Sequence, residues 1–368
     1  GSALYVATTG KDSNPGTLAS PFLTIQKGVD AATAGTTIYI RGGTYAPSTN
    51  IKIAASKSGT ASARYTVKNY NGEKVIVDGE NMTGTPAALG ASLADADRGV
   101  FHINGNYWTF SGLEIINGPY GIYSRDASYN IYENLSTHDN YESGVQIQGA
   151  ASYNQIINLD SYMNRDPRKN GESADGLAIK EGSGAGNVVR GARLWNNADD
   201  GLDFWMFTSP ITVEYSYSWA NGFNRWGFTD FVGDGNGFKF GGGLGDVAVT
   251  HTFRNCMAFQ NAVSGFIDNN LKGNHVVDHN TAWSNPGSGF DGQDSTPKFT
   301  YNLALSNGLN FKPPTSGGSQ TGNSWQSGSY SFKSTDATTL KGPRNADGTV
   351  KASDFLLPST GTIGAAYQ

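Results

Sequence analysis

Through the middle of the chain, short runs of alternating apolar and polar residues are each followed by the phrase Gly-apolar-x. Asn130-Ile131-Tyr132-Glu133-Asn134 leads to Ser143-Gly144-Val145-Gln146, and Asn154-Gln155-Ile156-Ile157-Asn158 leads to Asp175-Gly176-Leu177-Ala178. The same phrase recurs at Asp200-Gly201-Leu202-Asp203, Asn236-Gly237-Phe238-Lys239, Ser264-Gly265-Phe266-Ile267 and Ser288-Gly289-Phe290-Asp291. The step is 24 residues for Asn130 to Asn154, Asn187 to Ile211 and His251 to His275, with insertions at residues 165–173 and 223–235. Short β-like runs at that period predict a parallel β-helix, an all-β solenoid of about eight to ten coils stacked roughly 4.8 Å apart. Leucine-rich repeats lack their consensus here, and propeller blades need longer repeats.

Asparagines precede the turns once per coil, at Asn140, Asn164, Asn197, Asn221, Asn261 and Asn285, which predicts a ladder of side-chain amides running from coil to coil. Near the N-terminus Phe22, Ile25, Val29 and Ala32 share one helical face, so a short capping helix over residues 21–32 should close the first coil. Thr37–Ile40 and Lys74–Val77 read as early strands. The expected layout is one unit over residues 1–368: cap and first coils to 106, regular coils carrying the active site over 107–310, and a Ser/Gly/Thr/Pro-rich tail over 311–368. Phe355-Leu356-Leu357 should anchor that tail along or under the last coils.

Composition narrows the function. The 49 glycines and 33 asparagines suit a turn-rich solenoid, and 12 % aromatic with 15 % charged residues excludes a disordered chain. A net charge of −5 gives no basic footprint for nucleic acid. No apolar run is long enough for a membrane span. The lone Cys256 lies in an apolar run and reads as core. Gly1-Ser2 resembles a cloning remnant in place of a secretion signal, and an extracellular location is expected.

Stacking the coils on Gly-apolar-x turns the repeat into columns. The residue before Gly reads Ser143, Asp175, Asp200, Asn236, Ser264, Ser288; the residue two after reads Gln146, Ala178, Asp203, Lys239, Ile267, Asp291. Asp175 should therefore neighbour Asp200, with Asp199 beside it, and Asp203 should neighbour Lys239. Four crowded carboxylates repel unless a cation offsets them. Ca²⁺ suits such a set, taking about 6–8 oxygen ligands; few His and one Cys argue against zinc or copper.

The stretch Asp175-Gly176, Gly186–Gly191, Asp199-Asp200-Gly201-Leu202-Asp203 and Gly235–Gly242 resembles the family 9 polysaccharide lyases, which are right-handed parallel β-helices. The resemblance implies calcium ligands at Asp175, Asp199, Asp200 and Asp203 and a catalytic base at Lys239. The chemistry is consistent: a uronate C5 proton becomes removable when a cation neutralises the adjacent carboxylate, and a neutral lysine can take it. Lys180, five residues after Asp175, should hold substrate or the cluster and stands second as base. Arg225 and Lys272 are candidate partners for uronate carboxylates, as are Arg165, Arg168 and Lys169. Trp195, Trp205 and Trp226 could stack on sugars or serve packing. The expected activity is secreted, Ca²⁺-dependent β-elimination of pectate or polygalacturonate by a monomer, with rhamnogalacturonan as second substrate. Two other classes remain open: an inverting hydrolase using paired Asp, whose usual Gly-His-Gly and Arg-x-Lys motifs are missing, and a non-catalytic glycan-binding β-helix.

Overall fold

The computed structural model describes residues 2–368. Its strands form three parallel sheets of twelve, ten and ten strands, and successive strands of the chain pass from one sheet to the next, so the chain winds as a right-handed parallel β-helix. One ten-stranded sheet carries the site. In it the apolar residue of each Gly-apolar-x phrase points inward, and the pairing Phe101–Ile122–Val145–Leu177–Leu202–Phe238–Phe266–Phe290 is a continuous buried column. Phe238, Phe266 and Phe290 stack at 4.9 and 4.7 Å between ring centroids. Stacked rings at the strand spacing continue the apolar column from coil to coil.

The amide ladder forms as the spacing predicts. Each Nδ2 donates to the Oδ1 of the next coil, from Asn140 to Asn164 (3.1 Å), Asn197 (2.8 Å), Asn221 (3.0 Å), Asn261 (3.0 Å) and Asn285 (3.1 Å). A second ladder runs Asn130–Asn154–Asn187 at another corner; further along, His251 and His275 accept backbone N–H groups through Nδ1. The ladder explains the glycines: a Cβ at Gly201 would lie 1.9 Å from Ser218 Oγ, and one at Gly176 would lie 2.8 Å from Asn197 Nδ2. Glycine thus lets each site strand lie close against the ladder, which fixes the residues on either side of it.

At the N-terminus the helix spans Ile25–Ala31, capped by the Thr24 hydroxyl, which accepts the Lys27 N–H. It is shorter than the pattern suggested, because Phe22 pairs with Val6 as an extended residue before the cap. Ile25, Val29 and Ala32 still bury against the first coil. Regular strands continue to Ser319–Thr321, beyond residue 310.

The tail packs along the coils with Phe355 and Leu356 buried as its anchor, and it reaches further back than the last coils, to Gly191 and Asp160. It runs back across the third sheet, where Leu340, Val350, Phe355, Leu356 and Ala365 bury against Tyr217, Trp219, Met257 and Phe259. Leu357 is only half-buried. The cause is the outward face of that sheet, which is aromatic across the middle coils and needs cover. Arg193 and Arg344 fasten the tail, donating to the Leu340, Gly342 and Gly348 carbonyls and to the Asp160 carboxylate. Cys256 is fully buried.

Candidate active site

The registers place the columns as the repeat implies: Gln146, Ala178, Asp203, Lys239, Ile267 and Asp291 are successive neighbours on the outer face of the site sheet. The column before glycine is a ladder of side chain to backbone. Ser143 Oγ accepts the Asp175 N–H (3.1 Å), Asp175 Oδ1 the Asp200 N–H (3.1 Å), and Asp200 Oδ1 the Asn236 N–H (2.9 Å). Asn236 Oδ1 then accepts the Ser264 N–H (3.2 Å). Any residue with a short-range acceptor fills this slot, and an aspartate has an oxygen left over.

All four aspartates divide their oxygens in that way. Asp199 Oδ1 accepts the Asp234 N–H (2.7 Å) and Asp203 Oδ1 the Trp205 N–H (2.9 Å). The second oxygen of Asp175 faces Lys180 Nζ at 3.2 Å, that of Asp203 faces the same Nζ at 3.4 Å, and that of Asp200 faces Lys239 Nζ at 2.8 Å. One oxygen from each carboxylate lies within 4.8 Å of all the others. The Oδ2 of Asp200 is buried without a hydrogen-bond partner, because the Lys239 ammonium approaches it outside hydrogen-bond geometry.

The electrostatics are those of surplus negative charge. Burial pushes the Asp175 carboxyl up to about 8, with Lys180 opposing and Asp203 and Asp200 reinforcing the shift. Burial, together with Asp200 and Asp175, holds the Asp199 carboxyl far above its ordinary range; burial also raises Asp200, against the pull of Lys239. Burial alone would lower Lys239, but Asp200, Asp203, Asp199 and Asp234 overcome it and raise its pKa well above the ordinary lysine value. Lys180 is raised in the same way by Asp175 and Asp203 against burial. A hard divalent cation fits this donor set: four carboxylates pinned through one oxygen, second oxygens converging, and one of those buried and unpartnered.

Asp199, Asp203, Lys180 and Lys239 line a cleft of about 650 Å³ together with Arg98, Tyr120, Lys169 and Trp205, and Asp175 and Asp200 are buried beneath them. Asp234 also lines it, with Oδ2 at 2.5 Å from Lys239 Nζ. The repeat pattern missed Asp234, since it lies in the 223–235 insertion, where no period applies. The two insertions meet, the Val232 N–H donating to the Asn170 carbonyl at 3.0 Å. Other candidates fall elsewhere. Arg225 is exposed, its guanidinium over the Phe223 ring at 5.4 Å, and Lys272 is exposed in an isolated β-bridge with Ala248; neither lines the cleft. Arg165 lies over Tyr141 and Arg168 is buried against the Gly84 carbonyl, so of the basic residues of that insertion Lys169 reaches the cleft, together with Glu172 and Ser173. Trp195 stacks between Tyr162 and Trp219 on the third sheet, and Trp226 packs on Phe228 in the insertion. Of the tryptophans named, Trp205 alone is in the cleft.

Comparison with known proteins places the fold in a family. Residues 4–323 match the family described as "Pel9A-like, right handed beta helix region". The chain is 52 % identical to "Pectate lyase PEL9" of Emericella nidulans, over 98 % of this chain and 94 % of that one. It is 32 % identical to "Pectate lyase L" of Dickeya chrysanthemi, over 97 % and 83 %. Among solved structures, the pectate lyase Pel9A superposes with a TM-score of 0.83 at 31 % identity, covering 98 % of this chain and 89 % of that one. A rhamnogalacturonan lyase superposes with a TM-score of 0.78 at 25 % identity, covering 98 % and 97 %. Fold and relatives converge: the chain belongs to the Pel9A-like β-helix family and is a polysaccharide lyase of family 9.

Proposed function

We propose that this enzyme is an extracellular, Ca²⁺-dependent pectate lyase that cleaves polygalacturonate by β-elimination, with Asp175, Asp199, Asp200 and Asp203 as the cation ligands and Lys239 as the base. The observation that carries the reading is the position of Lys239 Nζ, 2.8 Å from Asp200 Oδ2 on the floor of an open cleft, one strand from Asp203. A bound Ca²⁺ supplies the positive charge that neutralises a uronate carboxylate and acidifies its C5–H bond. Lys239 Nζ takes the C5 proton. The C5–H electrons become the C4=C5 double bond, and the C4–O bond breaks with its electrons on the departing sugar oxygen, which is protonated from solvent. Asp234 then pairs with the ammonium so formed, and Lys180 steadies Asp175 and Asp203.

Neutralising the carboxylates also removes the charges that hold Lys239 protonated, so its pKa falls toward a range where a neutral amine exists. A location outside the cell follows from the polymeric substrate. No helix among the described residues is long and apolar enough to cross a membrane. All the proposed site residues come from one chain, which suits action as a monomer. Rhamnogalacturonan is the second substrate, supported by the superposition on a lyase of that name. The test is the ultraviolet absorbance of unsaturated product from polygalacturonate, with and without chelator. The expected result is strong absorbance that EDTA abolishes and Ca²⁺ restores. New reducing ends without that absorbance would mean hydrolysis, and neither signal would mean binding alone.

A further inference from the structure

The cleft holds four cationic side chains, and they fall into two pairs. Lys180 and Lys239 are ion-paired with the aspartates. Arg98 and Lys169 have no ion-pair partner among the described residues, although both line the cleft. From this division we propose that Arg98 and Lys169 form a subsite for uronate carboxylates on the N-terminal side of the aspartate cluster, so that the bound polyuronate extends from the cluster toward the first coils. The inference rests on the lyase reading of the same cleft.

Arg98 is held in advance. Its Nε and Nη2 both point at the Leu93 carbonyl, at 3.4 Å, and its guanidinium lies 5.8 and 5.6 Å from the Tyr120 and Tyr123 ring centroids. Those long contacts leave most of the N–H fork available to a planar carboxylate, with little rotamer freedom left to lose. Lys169 is set in the cleft lining by the 165–173 insertion. There Asp166 accepts the Lys169 N–H (3.3 Å) and the Ser173 N–H (2.8 Å), closing a single turn over Pro167–Lys169.

Beyond Lys239 the outward column continues as Ile267 and Asp291, and Asp291 has Lys312 as its strand neighbour. The cleft cations that the aspartates do not hold, Arg98 and Lys169, both precede the cluster along the chain, and the cleft lining also holds Glu172 and Glu181. The strand after Arg98, Phe101–Ile103, is three strands from the one after Asp175, at about 4.8 Å per strand. Only an oligomer spans that distance, so the subsite acts on chain length.

The test is steady-state kinetics on polygalacturonate and on oligogalacturonates of decreasing length, at saturating Ca²⁺. The proteins are the wild type, Arg98→Ala, Arg98→Lys, Lys169→Ala and, as control, Lys298→Ala on the exposed face of the twelve-stranded sheet. Arg98→Ala should raise KM for the polymer about tenfold or more, as loss of a charge-assisted hydrogen bond does, with kcat within about twofold. Lys169→Ala should raise KM less, and Arg98→Lys should recover part of the loss. The penalty should shrink as the oligomer shortens, and Lys298→Ala should match the wild type. Unchanged KM in both alanine variants, a loss in kcat instead, or an equal loss on the shortest oligomer and the polymer would overturn the proposal. If Arg98→Ala does not fold, Lys169→Ala on its exposed turn decides. If the wild type yields no unsaturated product, the lyase reading fails by itself. Calorimetric binding of oligogalacturonate to wild type and Lys169→Ala then still decides the subsite: weaker binding by the variant supports it, and equal or absent binding rejects it.

Discussion

Two buried charge clusters sit on different faces of this solenoid, and their balance differs. On the third sheet Asp160 receives Arg193 through two bonds, at 2.7 and 2.8 Å, and Arg344 through another at 2.7 Å. Burial would raise its pKa, but the guanidiniums outweigh it and hold it below the ordinary carboxylate range. On the site sheet four aspartates and Asp234 share two lysines, and Asp175, Asp199 and Asp200 are all pushed upward. The first cluster is complete and ties the tail to the coils. The second is short of positive charge in the folded chain, which is the condition of a cation site and costs stability until the cation arrives.

The largest effect should come from Lys239. Lys239→Ala should lower kcat by about 10²–10⁴-fold, the usual contribution of a positioned proton acceptor, measured as unsaturated product from polygalacturonate. Lys239→Arg should retain Ca²⁺ and oligouronate binding yet stay inactive, because a guanidinium does not deprotonate in a protein. Turnover by that variant would make the side chain an electrostatic clamp.

Breaking the balanced cluster should act on stability instead. Asp160→Asn leaves two guanidiniums without their counter-ion, and a loss of about 3 kcal/mol is expected in chemical unfolding, the low end for a buried pair because 21 % of the Asp160 side chain is exposed. Activity per folded molecule should be unchanged.

pH separates the clusters further. In metal-free protein Asp175 keeps its proton up to about 8, whereas an unfolded aspartate ionises near 3.9. Between these values the folded state binds more protons, so metal-free stability should fall as pH rises. Asp160 works in the opposite sense: its contribution is present above the unfolded value and lost as pH falls through its depressed folded value. Thermal unfolding against pH should show a downward slope in EDTA across the neutral range, which Ca²⁺ flattens. A flat EDTA profile would contradict the upward shift of Asp175.

The smallest effect should be that of Lys272→Ala and Arg225→Ala. Both side chains lie away from the cleft, and KM for polygalacturonate should stay within about twofold of wild type, as for surface charges outside an interface.

The sequence made the regular part of this architecture legible because one alignment rule, Gly-apolar-x, determines three things together. It orients the apolar residue inward, places the next residue outward, and brings Asp175 and Asp200 one strand apart. Asp203 beside Lys239 follows from the same rule, as does the asparagine ladder. Where the period breaks, so does the reading. Asp234 reaches Lys239 because its insertion is fastened through the Val232–Asn170 bond, a tertiary contact without local signature. Arg98 enters the cleft from the end of the 3₁₀ turn Asp95–Asp97, before its strand, where no column is defined. The course of the tail depends on the aromatic outer face of the third sheet, where Tyr217, Trp219 and Phe259 are buried by residues of the distant C-terminal tail, a contact with no local signature.

The imbalance of charge is tested most directly by calorimetric titration of Ca²⁺ into chelator-stripped protein near neutral pH, in buffers of different ionisation heat. Saturable binding with release of protons is expected, since the cation must displace the proton that Asp175 holds below about 8, and Asp200→Asn should abolish it. Absence of binding, binding without proton release, or unchanged binding in Asp200→Asn would contradict a cation site at this cluster.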